Sequence, residues 1–174
     1  MRGAGRRNGM TEKSIEKIIA EELRGDDRQT AEQFAAFLRE EGMEFVRDRG
    51  YWRDKIYFLV QYRGDCICFI AVKDPEEPEN RWTVWSDNLK EEYLSGEGMD
   101  EGMKRAAWKH VDECSRCGSC GGGSRRTIFG RAFDAVCGCT FRFDNPGAED
   151  LSFLKEMVKL RKRQGLEQAA RQKG

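Results

Sequence analysis

The sequence predicts an α+β domain in which an antiparallel β-meander of about four to five strands is packed by N-terminal helices and a C-terminal helix. A cysteine-rich metal-binding loop is expected as an insertion at about residues 110–139. Apolar residues recur every three to four positions near both ends of the chain, and residues 55–86 alternate between apolar and polar positions. The 174 residues suffice for one domain with a substantial core. We therefore expect a single domain over residues 11–163, a disordered extension at 1–10 and a disordered basic tail at 164–174.

Two amphipathic helices are predicted to open the domain. Thr11 stands at an N-cap position, and the first helix should end near Gly25. Its buried stripe consists of Ile15, Ile18, Ile19 and Leu23. Thr30 and Gln33 have the spacing of a capping box, so a second helix is expected from Thr30 to about Gly42.

Strands are predicted next, at residues 43–46, 55–62, 65–72 and 81–86. Residues 55–62 carry β-branched and aromatic side chains at alternate positions, which is typical of a half-buried strand. The link at residues 63–65 is short enough to make the two longest strands an antiparallel hairpin. The polar residues 87–102 should then form a connection that contains at most a helical turn or two.

Two further helices follow in the pattern. Met103, Ala106, Ala107 and His110 fall on one helical face, so a helix should lead into the cysteine-rich region. Asp144 and Pro146 have the positions of an N-cap and a first helical residue, which predicts a final helix with an apolar stripe. That stripe consists of Leu151, Leu154, Met157 and Val158.

Soft metal ligands are concentrated between residues 110 and 139. The region holds the only histidine of the chain and five of its seven cysteines, namely His110, Cys114, Cys117, Cys120, Cys137 and Cys139. Cysteines separated by two residues can turn around one ion, and a pair about 17 residues downstream can close the coordination sphere. We expect zinc, bound chiefly by the first four of these cysteines in chain order, with Cys139 or His110 as substitutes.

The number of thiols favours a closed, structural site over a catalytic one, since a zinc ion uses four ligands. An iron–sulfur cluster is the alternative cofactor, although the sequence lacks the fourth cysteine and proline of the bacterial ferredoxin pattern. Free thiols with one redox-active pair are a further interpretation. The nearby carboxylates Asp112, Glu113 and Asp134 are the side chains that a catalytic zinc would need for proton transfer.

Several other features have two interpretations. Cys66 and Cys68 are expected to be ordinary core residues of a strand. Residues 121–127 resemble a phosphate-binding loop, but the glycines can equally serve as a flexible link between the two segments that carry the metal ligands. The aromatic residues Trp82, Trp85, Trp108, Tyr57 and Tyr62 are expected in the core, with an aromatic pocket on the open face of the meander as the alternative.

The last two thirds of the chain resemble known small bacterial proteins in the order of their motifs. The residues concerned are 127–130, Phe133, Asp134, Cys137, 141–146 and the basic helix end at 159–162. In this order the chain resembles cysteine-containing α+β proteins from Firmicutes-type genomes, and is loosely similar to the YdhG-like domains. The resemblance covers about residues 30–163 and implies a small α+β module with a frataxin-like sheet. The cysteine-rich arm is an addition to that pattern.

Charge and hydropathy narrow the function classes. Basic and acidic residues both count 31, so no net field attracts nucleic acid or an anionic membrane. No apolar run approaches the roughly 20 residues of a membrane span, and the N-terminus lacks the apolar stretch of a secretory signal, so we expect a cytoplasmic protein.

The expected function is a cytosolic binding or regulatory module with a structural zinc site and an unidentified small ligand or protein as partner. An iron–sulfur or thiol redox protein is the alternative, and a zinc-ribbon-like nucleic-acid binder is the third.

Overall fold

A computed structural model describes residues 12–48, 55–115 and 121–174 of the chain. The predicted extension at residues 1–10 lies outside these ranges. The helices are α1 (Ile15–Glu22), α2 (Gly25–Glu40), α3 (Glu101–Trp108) and α4 (Leu151–Gln172), with short 3-10 helices at Glu91–Tyr93 and Ala148–Asp150. The strands are β1 (Glu44–Asp48), β2 (Ile56–Tyr62), β3 (Asp65–Val72), β4 (Trp82–Ser86), β5 (Val111–Glu113), β6 (Ser124–Ile128) and β7 (Arg131–Asp144).

The described strands form one antiparallel sheet in the order β1-β2-β3-β4-β7-β5, with β6 also paired to β7. The α+β class and the antiparallel meander are therefore confirmed, but the expected four to five strands were too few, since the sheet has seven. The three additional strands lie in and just after the segment predicted to be a loop. Phe129 and Gly130 have φ values of 49° and 86°, which suit the tight turn between β6 and β7.

The core lies between the sheet and the helices. Phe153 of α4 packs edge-on against Phe141 of β7 at 5.0 Å between ring centroids and also contacts Phe129 and Phe143. All four rings are at most 2% exposed. Each such side chain contributes about 1.5–3 kcal/mol to folding by leaving water, so this cluster fixes α4 across β7. The side chain of Arg142, between Phe141 and Phe143 on β7, consequently lies on the opposite face of the sheet, which we call the outer face.

The starts of the two N-terminal helices differ from the prediction. Ser14 caps α1 by accepting a hydrogen bond from the Lys17 amide at 3.3 Å, while Thr11 lies outside the described residues. The second helix begins at Gly25 and not at Thr30, which is buried inside it. Gly25 can begin the helix because it adopts a φ of 54° that glycine tolerates, and acidic residues in the first turn favour the positive helix end.

The C-terminal helix starts later and ends later than predicted. Asp144 still belongs to β7, and Asn145 has a φ of 48° and accepts a hydrogen bond from the Arg81 amide at 2.6 Å, so these residues form a turn instead of a cap. The predicted disordered tail at 164–174 is wrong, because α4 continues to Gln172. Gln164 is 3% exposed, and its side chain accepts from the Lys90 amide and donates to the Asn88 carbonyl, which ties this part of the helix to the loop after β4.

Candidate metal centre

Two neighbouring strands bring a carboxylate and two thiols together. Cys137 and Cys139 lie two residues apart on β7, and Asp112 lies on β5, which pairs with β7. The two sulfurs and a carboxylate oxygen all lie within 4.8 Å of one another. The thiol of Cys139 donates a hydrogen bond to Oδ2 of Asp112 at 2.9 Å. We call Asp112, Cys137 and Cys139 the thiol–carboxylate group; it is the set of metal-ligand side chains that converge in the described part of the chain.

An irregularity in β7 fixes the position of Cys139. The next residue, Thr140, is fully buried and has a φ of 71°, which is unusual for a threonine. The hydroxyl of Ser86 on β4 donates to the Cys139 carbonyl and accepts from the Phe141 amide at 3.1 Å, so it bridges the interrupted ladder. Arg126 donates to the Thr140 hydroxyl at 3.1 Å. These contacts hold the backbone next to the thiol rigidly.

Burial raises the pKa of the Cys139 thiol above its ordinary range, and the adjacent Asp112 carboxylate raises this pKa further. Without a cation the sulfur therefore keeps its proton at neutral pH. A metal ion reverses this balance, since a coordinated thiol is deprotonated and the ion's charge offsets that of the carboxylate. The donor set, two sulfurs and one carboxylate oxygen, is chemically suited to zinc.

Cys114 lies beside this group. It follows Asp112 by two residues, so the two side chains share a face of the extended chain. Its amide donates to the Ala135 carbonyl of β7 at 2.8 Å, and it lines the same cleft as the thiol–carboxylate group. Its sulfur does not belong to the set within 4.8 Å. A fourth candidate ligand for a metal therefore lies directly after β5.

The structure places the other predicted ligands elsewhere or does not describe them. The ring of His110 stacks on Phe143 at 4.3 Å between centroids, and its Nε2 lies 2.8 Å from Oδ1 of Asp150. Because Phe143 faces α4, His110 lies on the helix-covered side of the sheet, away from the thiol–carboxylate group. Cys117 and Cys120 lie outside the described residues, and their part in a site stays a prediction.

Sequence reasoning did not identify Asp112 as a ligand. Asp112 on β5 and Cys114 directly after it repeat the alternate spacing of Cys137 and Cys139 on β7, and this similarity was the available signal. It becomes meaningful only when both segments are recognised as paired strands, because alternate side chains of adjacent strands then lie on one surface.

The irregular backbone at Thr140 interrupts the alternation of side chains along β7, so Cys137 and Cys139 lie on the same outer face as Arg142. The thiol–carboxylate group opens there into a cleft of about 660 Å³. Tyr57, Phe69 and Trp85 from three adjacent strands line it, together with Lys55 and Arg142. Tyr57 and Trp85 thus line a cleft, as the alternative of an aromatic pocket supposed, while Tyr57 is also buried as expected of a core residue, with 7% exposure. The remaining candidates for that pocket, Trp82, Trp108 and Tyr62, do not line the cleft, and Trp82 is a core residue with 1% exposure.

The remaining sequence features are structural. Cys68 is fully buried, which confirms its predicted place in the core, and Cys66 is partly buried, so that burial raises its pKa to about 12. Within the proposed phosphate loop, Ser124 begins β6, and the guanidinium of Arg126 donates to Thr140 and to the Leu89 carbonyl. This arginine therefore holds the fold together and is not directed at a phosphate.

Comparison with known proteins finds no matching family model and no significant match to a curated protein or to a solved structure. The resemblance to small bacterial α+β proteins accordingly stays a prediction. No described helix combines the length and the apolar character that a membrane crossing requires.

Proposed function

We propose that this chain is a cytosolic binding or regulatory module whose cysteine-rich region is organised by a structural zinc ion. The observation that carries the proposal is the convergence of Asp112, Cys137 and Cys139 within 4.8 Å. Tetrahedral zinc with bonds of about 2.0–2.3 Å brings its ligand atoms to within about 3.3–3.8 Å of one another, so small side-chain rotations suffice. We assign Cys114 as the fourth ligand, with Cys117 or Cys120 as the replacement.

The location in a reducing compartment is part of the same proposal. Cys137 and Cys139 remain thiols although their sulfurs lie within 4.8 Å of one another, and Cys66 and Cys68 on β3 are thiols as well. Thiols that remain reduced are typical of cytosolic proteins, where they serve as metal ligands more often than as disulfides.

Metal analysis of protein purified without oxygen tests the proposal. We expect a colourless protein with about one zinc per chain, whereas an iron–sulfur protein would be brown and contain iron and sulfide. Cys137→Ala and Cys139→Ala should lose the zinc, and Cys66→Ala on β3 should keep it. Wild-type protein without either metal would contradict the proposal, and zinc loss in Cys66→Ala would place the site elsewhere.

Two Asp→Asn variants, one at a proposed ligand and one at an exposed position, provide a second, matched comparison. Asp112→Asn removes the charge of a proposed ligand, so its zinc affinity should fall at least about tenfold, the lower end of what losing even an outer-shell partner costs. Asp134→Asn changes an exposed carboxylate on β7 and should bind zinc as the wild type does. Equal affinities in a competition assay with a chromogenic chelator would remove Asp112 from the ligand set.

A further inference from the structure

The cleft beside the thiol–carboxylate group has an aromatic floor. Tyr57 stacks on Phe69 at 5.7 Å between ring centroids and lies 6.1 Å from the ring of Trp85. The residues come from β2, β3 and β4, so a rigid sheet holds the rings in place. A volume of about 660 Å³ lies within the roughly 300–1,000 Å³ that small-molecule sites occupy.

One cation already lies on this floor. The guanidinium of Arg142 is 5.3 Å from the centroid of the Trp85 ring, which is within range of a cation–π interaction. Its charge is compensated by two carboxylates, because Nε donates to Asp144 at 2.8 Å and a terminal nitrogen donates to Glu77. The indole face is thus able to bind a positive group in this environment.

The charged residues of the cleft leave a negative excess. Lys55 is paired with the buried Asp74 at 2.7 Å and with Glu76 at 3.1 Å, so each of the two basic side chains of the cleft has two acidic partners. Asp112 adds a further carboxylate to the lining. An anionic ligand would therefore meet repulsion, whereas a cation would gain both from these charges and from the ring faces.

From this combination we propose that the cleft binds an organic cation, with an ammonium group packed on Trp85, Phe69 and Tyr57 and attracted by the excess of acidic side chains in the lining. The inference rests on the proposed role as a binding module but not on zinc. Free amines and methylated lysine side chains carry the same headgroup, and both are sources of such a ligand. The site differs from the thiol–carboxylate group because its floor is aromatic and takes no metal.

Choline and its uncharged isostere 3,3-dimethylbutan-1-ol test the charge requirement. The two probes have nearly the same shape, so calorimetric titration at constant ionic strength isolates the contribution of the charge. We expect choline to bind at least about threefold more tightly, the effect of a cation–π contact at the weak end of its range. Equal affinity would overturn the proposal. A short peptide with a trimethylated lysine distinguishes the sources, since tighter binding of the peptide than of choline identifies a protein ligand.

A graded series at Trp85 tests the site. Choline affinity should fall from the wild type to Trp85→Phe and further to Trp85→Leu, because the strength of the ring face decreases in that order. Trp108 is the matched control: Arg131 lies 5.8 Å from its ring, but it is outside the cleft. Trp108→Phe should bind choline normally, and wild-type affinity in a folded Trp85→Leu would overturn the proposal. Titrations with chelated protein separate the two proposals, since choline should still bind without zinc.

Discussion

Gly123 lies at the point where β5, β6 and β7 meet, and replacing it by alanine should separate them. A Cβ at this position would be 2.7 Å from the carbonyl carbon of Ala135 and 2.8 Å from the Cβ of Cys114. Ordinary carbon contacts lie at about 3.5–4.0 Å, so the backbone must move by roughly 0.8 Å. The nearest atom belongs to the backbone, which cannot rotate away as a flexible side chain can.

We expect Gly123→Ala to lower the free energy of unfolding by about 2 kcal/mol, within the range for overpacked sites. For a protein of this size that corresponds to a fall in Tm of about 4–8 °C, measurable by circular dichroism. The movement also displaces Cys114, because its amide donates a hydrogen bond to the Ala135 carbonyl at 2.8 Å. Zinc affinity should consequently fall as well.

Gly121→Ala is the matched control on the same glycine-rich arm. A Cβ at Gly121 meets no atom within 4 Å, so this variant should be as stable as the wild type, or slightly more stable because its unfolded chain is less flexible. Both variants are measured with zinc and after chelation, since the steric cost must appear in either state. If Gly123→Ala had the same Tm as Gly121→Ala both with zinc and after chelation, the packing of β5 against β7 would be refuted.

Two further predictions concern the rest of the sheet. Arg161 is buried and pairs with Asp65 at 3.0 and 3.2 Å and with Asp87 at 3.0 Å. Both carboxylates are partly exposed, so water compensates much of their charge in Arg161→Met, which should destabilise the protein by about 1–2 kcal/mol in urea unfolding. A loss below about 0.5 kcal/mol would refute the importance of this network. Burial raises the pKa of Cys66 to about 12 in the fold from about 8.5 in the unfolded chain. The stability that the protonated, buried thiol contributes to the fold is therefore fully present below about pH 8.5 and is lost as the pH rises towards 12. Between pH 7.5 and 10 the wild type should therefore lose about 1–2 kcal/mol more stability than Cys66→Ala, and equal losses would contradict this.

Local signals predicted the β2–β3 hairpin within a residue of its bounds. Residues 55–62 and 65–72 were expected, and Ile56–Tyr62 and Asp65–Val72 are observed. The alternation of apolar and polar residues determines which face of each strand is buried. Arg63 and Gly64, with φ values of 51° and 81°, form the turn that joins the two strands. Nothing beyond a few residues of sequence was needed to predict this pairing.

The strands that carry the site could not be predicted in the same way. Alternation identifies a strand when one face is apolar, but β6 contains Arg125 and Arg126 and the middle of β7 is Cys137-Gly138-Cys139. Arg126 makes internal hydrogen bonds and the two cysteines belong to the thiol–carboxylate group, so the apolar pattern is interrupted where the site forms. The two halves of the site are also 25 residues apart, and only pairing of the strands brings Asp112 next to Cys137.

The architecture gives a physical reason for a metal at this place. β5 has three residues, and its pairing with β7 is irregular between Val111 and Glu113, so few ladder hydrogen bonds hold it. β7 pairs with β4 through its last residues only, and the buried Thr140 interrupts the strand between that pairing and the cysteines. A zinc ion held by both strands would join them where backbone hydrogen bonds are sparse, and structural zinc binding supplies about 10 kcal/mol or more to folding. The region from β5 to β7 should therefore be the first part of the sheet to exchange its amides once zinc is removed, while the β2–β3 hairpin remains protected.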